Sequence, residues 1–142
     1  MLTSIIACLA VNLYFEARNE PVVGQIAVTQ VVLNRTQDPR YPDDPCDVIT
    51  QGPHVNGVPV KNKCQFSWYC DGKSDIPDDN DAYRWSKAVV ARVLAGEVPD
   101  IAQGATHYHA VYVSPNWPIR KKTIGRIGMH IFYKWLDTPS KL

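Results

Sequence analysis

Two strongly apolar helical stretches that meet at a single proline constrain this chain more than any other feature. Read at about 100° per residue, residues 2–18 place Leu2, Ile5, Ile6, Leu9 and Leu13 in one stripe. Pro21 disfavours the helical conformation at Glu20, so the first helix ends near Arg18 and Asn19. A second helix is predicted from about Pro21, a residue suited to a first turn, to about Arg35. Val22, Val23, Ile26 and Leu33 make one of its faces, and Val28, Val31 and Val32 another. A helix apolar on nearly all sides belongs at the centre of a fold. Gly24 on it would let another backbone come close.

Glu16 breaks this pattern. It lies three residues after Leu13, inside the apolar stripe, while Arg18 falls on the far side. A buried glutamate is rare unless it is paired or used. It also sits in the last helical turn, at the negative end of the helix dipole. Dipole and desolvation both disfavour its ionised form. A carboxyl that keeps its proton near neutral pH has the property a general acid needs. The alternative is a structural carboxylate paired with Arg18 or Arg35.

At 142 residues the chain has the length of one domain with a real core. Its net charge of +1 gives no footprint for nucleic acid. No apolar run is long enough to cross a membrane. Residues 2–15 mimic a signal-peptide core, but no Lys or Arg precedes them and no small-residue cleavage site follows before Glu16. The expectation is therefore a first helix of the mature fold and no secretion signal. Of the four cysteines, Cys8 reads as a plain core residue, whereas Cys46, Cys64 and Cys70 share a long loop where two of them can pair. Cys64 and Cys70 with His54 lack zinc-finger or ribbon spacing.

Residues 36–81 show no clear period and hold many prolines, glycines and aspartates. So long an irregular stretch is usually functional or stapled. Within it, Val48–Ile49 and Val58–Val60 suggest short strands or local anchors. A third helix follows, capped by Asn80 or Asp81 and stopped by Gly96, with Trp85, Val89 and Val93 as its buried stripe. Residues 106–113 alternate as a strand, with Thr106, Tyr108, Ala110 and Tyr112 on one face and His107, His109, Val111 and Val113 on the other. Residues 127–135 make a second strand. The connection between them carries Arg120-Lys121-Lys122 as a solvated turn. The class is α+β, mainly helical, with a small antiparallel β-sheet.

Two chemistries compete on these residues. Glu16 is one centre, with Asn12 and Glu20 nearby; Glu20 also reads as a cap or a partner of Arg18. The rival uses His107, His109 and His130 as zinc ligands across two strands, with Glu16 as base, in a metal-dependent amidase or peptidase.

The runs Phe15-Glu16-Ala17-Arg18-Asn19-Glu20-Pro21, Gly24-Gln25-Ile26-Ala27-Val28 and Val31-Val32-Leu33-Asn34-Arg35 resemble the opening of the spore cortex-lytic enzyme family of cell wall hydrolases. Gln65-Phe66-Ser67, Gly104-Ala105-Thr106-His107-Tyr108, Ser114-Pro115-Asn116-Trp117 and residues 127–133 resemble its later motifs. Asn19 stands where the family usually has glycine, and Trp68 where it often has cysteine. The resemblance implies a lysozyme-like fold, a peptidoglycan substrate and one acidic catalytic residue, which maps onto Glu16. It implies lytic transglycosylase chemistry at the bond between N-acetylmuramic acid and N-acetylglucosamine, with no cofactor and no metal. Gln65, Ser67 and Tyr108 would contact substrate and Phe66 would shape the cleft, with Glu20, Thr106 and His107 beside them. The expected partner is the glycan strand, met by a monomer without nucleic acid or membrane insertion. A bare catalytic domain without leader or wall-binding module is similar to a phage endolysin, made in the host cytoplasm. A wall-binding module without activity is the third reading, and the intact Glu16 context argues against it.

Overall fold

The computed structural model describes residues 2–137, with side chains from Ile5 onward, so the Leu2 end of the apolar stripe lies outside the described side chains. Helix α1 spans Leu2–Ala17 and α2 spans Val22–Thr36. Pro21 stands just before α2 as its cap residue, and its carbonyl accepts the amide of Gln25 at 3.0 Å. The break between the helices thus falls where the proline requires it. On α1, Leu9 and Leu13 are fully buried while Ile5 and Ile6 pack partly buried against the core. Each such fully buried aliphatic side chain contributes about 1.5–3 kcal/mol.

α2 is less enclosed than its composition suggests. Its Val28–Val31–Val32 face is wholly buried, but Val22 and Val23 are exposed on the other. No backbone approaches Gly24. A Cβ there would meet the side chains of Glu20 at 3.4 Å and Ile127 at 3.9 Å.

The long irregular segment is held by α1. Helix α3 spans Pro45–Ile49, capped by the Asp44 side chain on the Cys46 amide, so Val48 and Ile49 are buried helical anchors and not a strand. A small hairpin, β1 (His54–Val55) and β2 (Val58–Pro59), follows, then a 3₁₀ turn over Ser67–Cys70. Asn12, buried in α1, accepts the indole N–H of Trp68 at 2.9 Å. Tyr14 donates to Asp78 at 2.9 Å and accepts the Asp79 amide at 3.1 Å. Disulfides join Cys8 to Cys46 and Cys64 to Cys70. Cys8 is therefore a staple between α1 and α3, and the loop cysteines leave none unpaired.

Helix α4 spans Asn80–Leu94. Its cap is Asp79, one residue before the expected ones, and Gly96 follows its end with φ +71°. Ser86, Val89, Val90 and Val93 are its buried residues. Trp85 is 53% exposed and donates its indole N–H to Gln25 at 2.8 Å, so it does not belong to the buried stripe.

The expected antiparallel pair is present as β3 (His107–Ala110) and β5 (His130–Trp135), and β5 also pairs with β4 (Lys121–Ile127) to make the order β3-β5-β4. β4 was not legible: its side chains are mostly exposed, so it is an edge strand without alternation, and Lys121 and Lys122 lie on it and not in a turn. Tyr108 pairs with Phe132 and Ala110 with His130, which places these four side chains on one face, toward the helices. No helix among the described residues is long and apolar enough to cross a membrane.

Candidate active site

The last turn of α1 carries Glu16 to the seam between the helices and the inner face of the sheet. Two hollows meet at it. One is lined by Phe15, Arg18, Glu20, Tyr112, Met129 and His130, the other by Arg35, Gln65, Phe66, His107, Tyr108 and Trp117, and Glu16 lines both. The side chain is half-buried. Burial pushes its carboxyl above the ordinary carboxylate range; the hydrogen bond from Tyr108 and the charges of His130 and Arg35 oppose this without cancelling it. Tyr108, from β3, donates its hydroxyl to Oε1 of Glu16. Burial first, and then Glu16 itself, push the Tyr108 phenol well above its ordinary range, so it remains a donor.

Neither pairing considered for a structural carboxylate is made. Arg18 turns back over the Tyr14 ring at 4.5 Å and donates to the Tyr14 carbonyl. Arg35 donates to the Thr106 carbonyl at 2.8 Å.

Glu20 lines the first hollow but is already engaged. Its Oε1 accepts the Met129 amide at 2.8 Å and lies 2.9 Å from His130 Nδ1, off the hydrogen-bond line. Gly128 makes room for it. A Cβ there would stand 2.8 Å from the same oxygen, and φ is +59°. Glu20 is thus a clasp between the α1–α2 corner and the β4–β5 turn, and not a cap or a partner of Arg18.

The remaining sequence candidates divide. Gln65 is exposed on the rim of the second hollow, and Phe66 is buried beneath it. His107 reaches this hollow edge-on to Trp117, with ring centroids 5.0 Å apart. Ser67 is exposed at the start of the 3₁₀ turn and lines neither hollow. Thr106 is buried and lines a separate hollow with Asn34, Gly104 and Trp135; its hydroxyl meets His107 Nδ1 at 2.9 Å and accepts the Trp135 amide at 3.3 Å. The zinc reading fails on direction. His107 and His109 contact Trp117 on the outer face of the sheet, whereas His130 contacts Tyr108 and Phe132 on the inner face. Among the described residues no three His, Cys, Asp or Glu are placed to hold a metal.

Arg35 and Trp117 line the second hollow without having been named as substrate contacts. Arg35 carried a signal. It follows Val28, Val31 and Val32 on a buried helical stripe, so it breaks its pattern as Glu16 breaks that of α1. Trp117, in a loop, carried no periodic signal and is marked only as a loop aromatic within the Ser114-Pro115-Asn116-Trp117 resemblance.

A helical body bearing a small antiparallel sheet, with a carboxyl at the end of the first helix, defines the lysozyme-like class of fold. The chain belongs to the cell wall hydrolase family, whose pattern matches residues 19–133, opening just past Glu16. It is 35% identical over 128 residues to the spore cortex-lytic enzyme of Halalkalibacterium halodurans, which covers 89% of this chain and 34% of that protein. It is 28% identical over 127 residues to that of Bacillus subtilis, covering 89% of this chain and 36% of that one. The chain thus spans about a third of the length of these curated relatives. Among solved structures it matches the catalytic domain of the Bacillus cereus SleB protein with a TM-score of 0.67 and 27% identity, over 93% of this chain and 91% of that one. It matches the catalytic domain of the germination-specific lytic transglycosylase SleB from Bacillus anthracis with a TM-score of 0.69 and 28% identity, over 92% and 93%.

Proposed function

We propose that this chain is a peptidoglycan lytic transglycosylase that cuts the glycan between N-acetylmuramic acid and N-acetylglucosamine, with Glu16 as both acid and base. The carrying observation is one desolvated carboxyl where two open hollows meet, so that a polymer can lie across it. Two-carboxylate glycosidases need a second free acid on the other side of the bond. Among the described residues Glu20 is the only other acid lining either hollow, and it is held by Met129 and His130. One carboxyl suffices when the sugar supplies its own nucleophile.

The steps balance without water. Because the Tyr108 hydroxyl donates to Oε1, the acidic proton belongs on Oε2. Glu16 gives that proton to the glycosidic oxygen as the bond from the anomeric carbon breaks. The resulting carboxylate takes a proton from a hydroxyl of the same muramyl sugar, whose oxygen closes an anhydro ring on that carbon. Glu16 is then protonated again. Tyr108 stays protonated and holds the carboxylate in place throughout. Gln65 on the rim, Phe66 below it and Trp117 beside it shape the substrate's path. The solved relative named as a lytic transglycosylase, covered almost end to end, supports this reading.

Mass spectrometry of digested peptidoglycan tests it. Anhydromuramyl ends are expected. Reducing muramyl ends would replace the reading with simple hydrolysis, and released stem peptides with intact glycan would overturn it.

A further inference from the structure

Arg35 is 6% exposed, which is rare for a charged side chain. Its Nε donates to the Thr106 carbonyl, and its guanidinium lies between the rings of Tyr41 and Phe66, 5.0 and 5.3 Å from their centroids. Those contacts hold the group but do not neutralise it. No carboxylate pairs with it among the described residues, and Nη1 is buried without a hydrogen-bond partner. An uncompensated buried cation is costly, so its retention calls for a reason. Among the described residues the one carboxyl that shares its cavity is Glu16.

We propose that Arg35 is a positioning residue for Glu16, the fixed counter-charge against which that carboxyl ionises. The proposal rests on the acid–base role given to Glu16 above. None of the other groups facing Glu16 supplies it with a permanent charge. Tyr108, from β3, supplies a hydrogen bond but no charge. His130, from β5, also acts on Glu16 by its charge, more than Arg35 does, but it carries that charge only when protonated and lies 2.9 Å from Glu20. Arg18, just past the end of the same helix, is turned onto Tyr14. His107, also on the cavity wall, is held neutral down to about pH 4 by burial and by the charges of Arg35 and Arg40. Arg35 is thus the permanent cation of this cavity among the described residues. Burial alone would make Glu16 a strong holder of its proton and a poor donor. A fixed positive charge brings the carboxylate within reach, as both halves of the proposed reaction require.

The test uses Arg35→Met, which fills the slot between the two rings with an apolar side chain, and Arg35→Gln, each checked for a native melt. Ionisation of Glu16 is read directly by carbon NMR of labelled glutamate carboxyls, its signal assigned by its loss in Glu16→Gln. Removing the cation favours the protonated form, so the Glu16 midpoint should rise by roughly one pH unit or more. Arg35→Lys, which keeps the charge, should return it most of the way. The alkaline limb of the lysis profile should move with the midpoint, with kcat changing more than KM. A folded Met or Gln variant whose Glu16 midpoint stays where it is overturns the proposal. The NMR midpoint does not depend on turnover. If it moves while Glu16→Gln still lyses walls, Arg35 keeps its role toward Glu16 and the transglycosylase assignment is what fails.

Discussion

The two faces of the three-stranded sheet carry much the same residue types and do opposite things. Inward, Tyr108, Phe132 and His130 close over Glu16, and every polar group there is engaged with an acid: Tyr108 with Glu16, His130 with Glu20. Outward, His107, His109, Trp117, Tyr133 and Trp135 form an aromatic cluster, reaching the second hollow at its His107–Trp117 edge, in which the histidines bond to neutral oxygens and rings. Histidine on the first face sits beside a carboxylate, whereas His107 on the second is dried and surrounded by cations. Neighbours decide the role, and residue type alone does not.

The hardest blow to the inner face is Glu16→Gln. The amide keeps the shape but cannot donate a proton, so wall lysis should fall by roughly 10²–10⁴-fold, and by more if the group serves both steps. Stability should move the other way. A carboxyl whose folded pKa is raised destabilises the fold increasingly as pH rises through that value, and the glutamine escapes this. A purified variant that clears a cell-wall suspension at near wild-type rate would sink the assignment. Next comes Tyr108→Phe, which removes one hydrogen bond to a charged group, worth about 1.5–3 kcal/mol, or roughly 10–100-fold in rate. An unchanged kcat would show that Tyr108 is packing and not part of the acid's support.

How much of this was legible follows from where the signal lies. Glu16 was readable because a helix has a strict period and a carboxylate in its apolar stripe stands out. The same test applied to Arg35 would have found it too. The β3–β5 pairing was readable from alternation. Which way a third histidine faced was not, because register depends on the unseen turn: Ala110 opposite His130 turns that ring inward. β4 escaped for want of alternation on an exposed edge. The Cys8–Cys46 bond was hidden because its partners lie 38 residues apart and meet only when α3 docks on α1. Trp85 looked like core from its spacing. Its ring instead lies over the edge of α2, where the indole finds Gln25.

The clasp at the corner sharpens the contrast between the two glutamates. Glu20→Ala removes the acceptor of the Met129 amide and the neighbour of His130, leaving a buried imidazole edge without its acid. The loss should be about 1–3 kcal/mol of stability, with lysis reduced only as far as the β4–β5 turn loosens. Urea denaturation of the variant measures it. If lysis instead fell as far as in Glu16→Gln with stability unchanged, Glu20 would be a second reacting acid and the single-carboxyl mechanism would fail.

The smallest effect belongs to the outer face and comes with the opposite sign of pH dependence. Burial, then Arg35 and Arg40, lower the His107 imidazole from 6.5 to about 4, against the pull of Asp38. Between those values the unfolded chain binds a proton that the folded chain refuses. Stability that is fully present above about pH 6.5 is therefore lost as pH falls toward 4. Glu16 does the reverse: its raised pKa lets the folded state take up a proton first, so that site gains stability as pH falls toward the ordinary carboxylate range. The two faces thus partly cancel in the whole protein, and separating them requires a variant. His107→Gln keeps a partner for the Thr106 hydroxyl but does not titrate. Urea midpoints at pH 7, 5.5 and 4 should fall with acid less steeply in this variant than in wild type. In a Glu16→Gln background the remaining fall should be steeper than in wild type. Parallel curves for wild type and His107→Gln would mean that His107 takes up its proton in the folded state near its ordinary value, and that the outer face is wetter than its ring contacts imply.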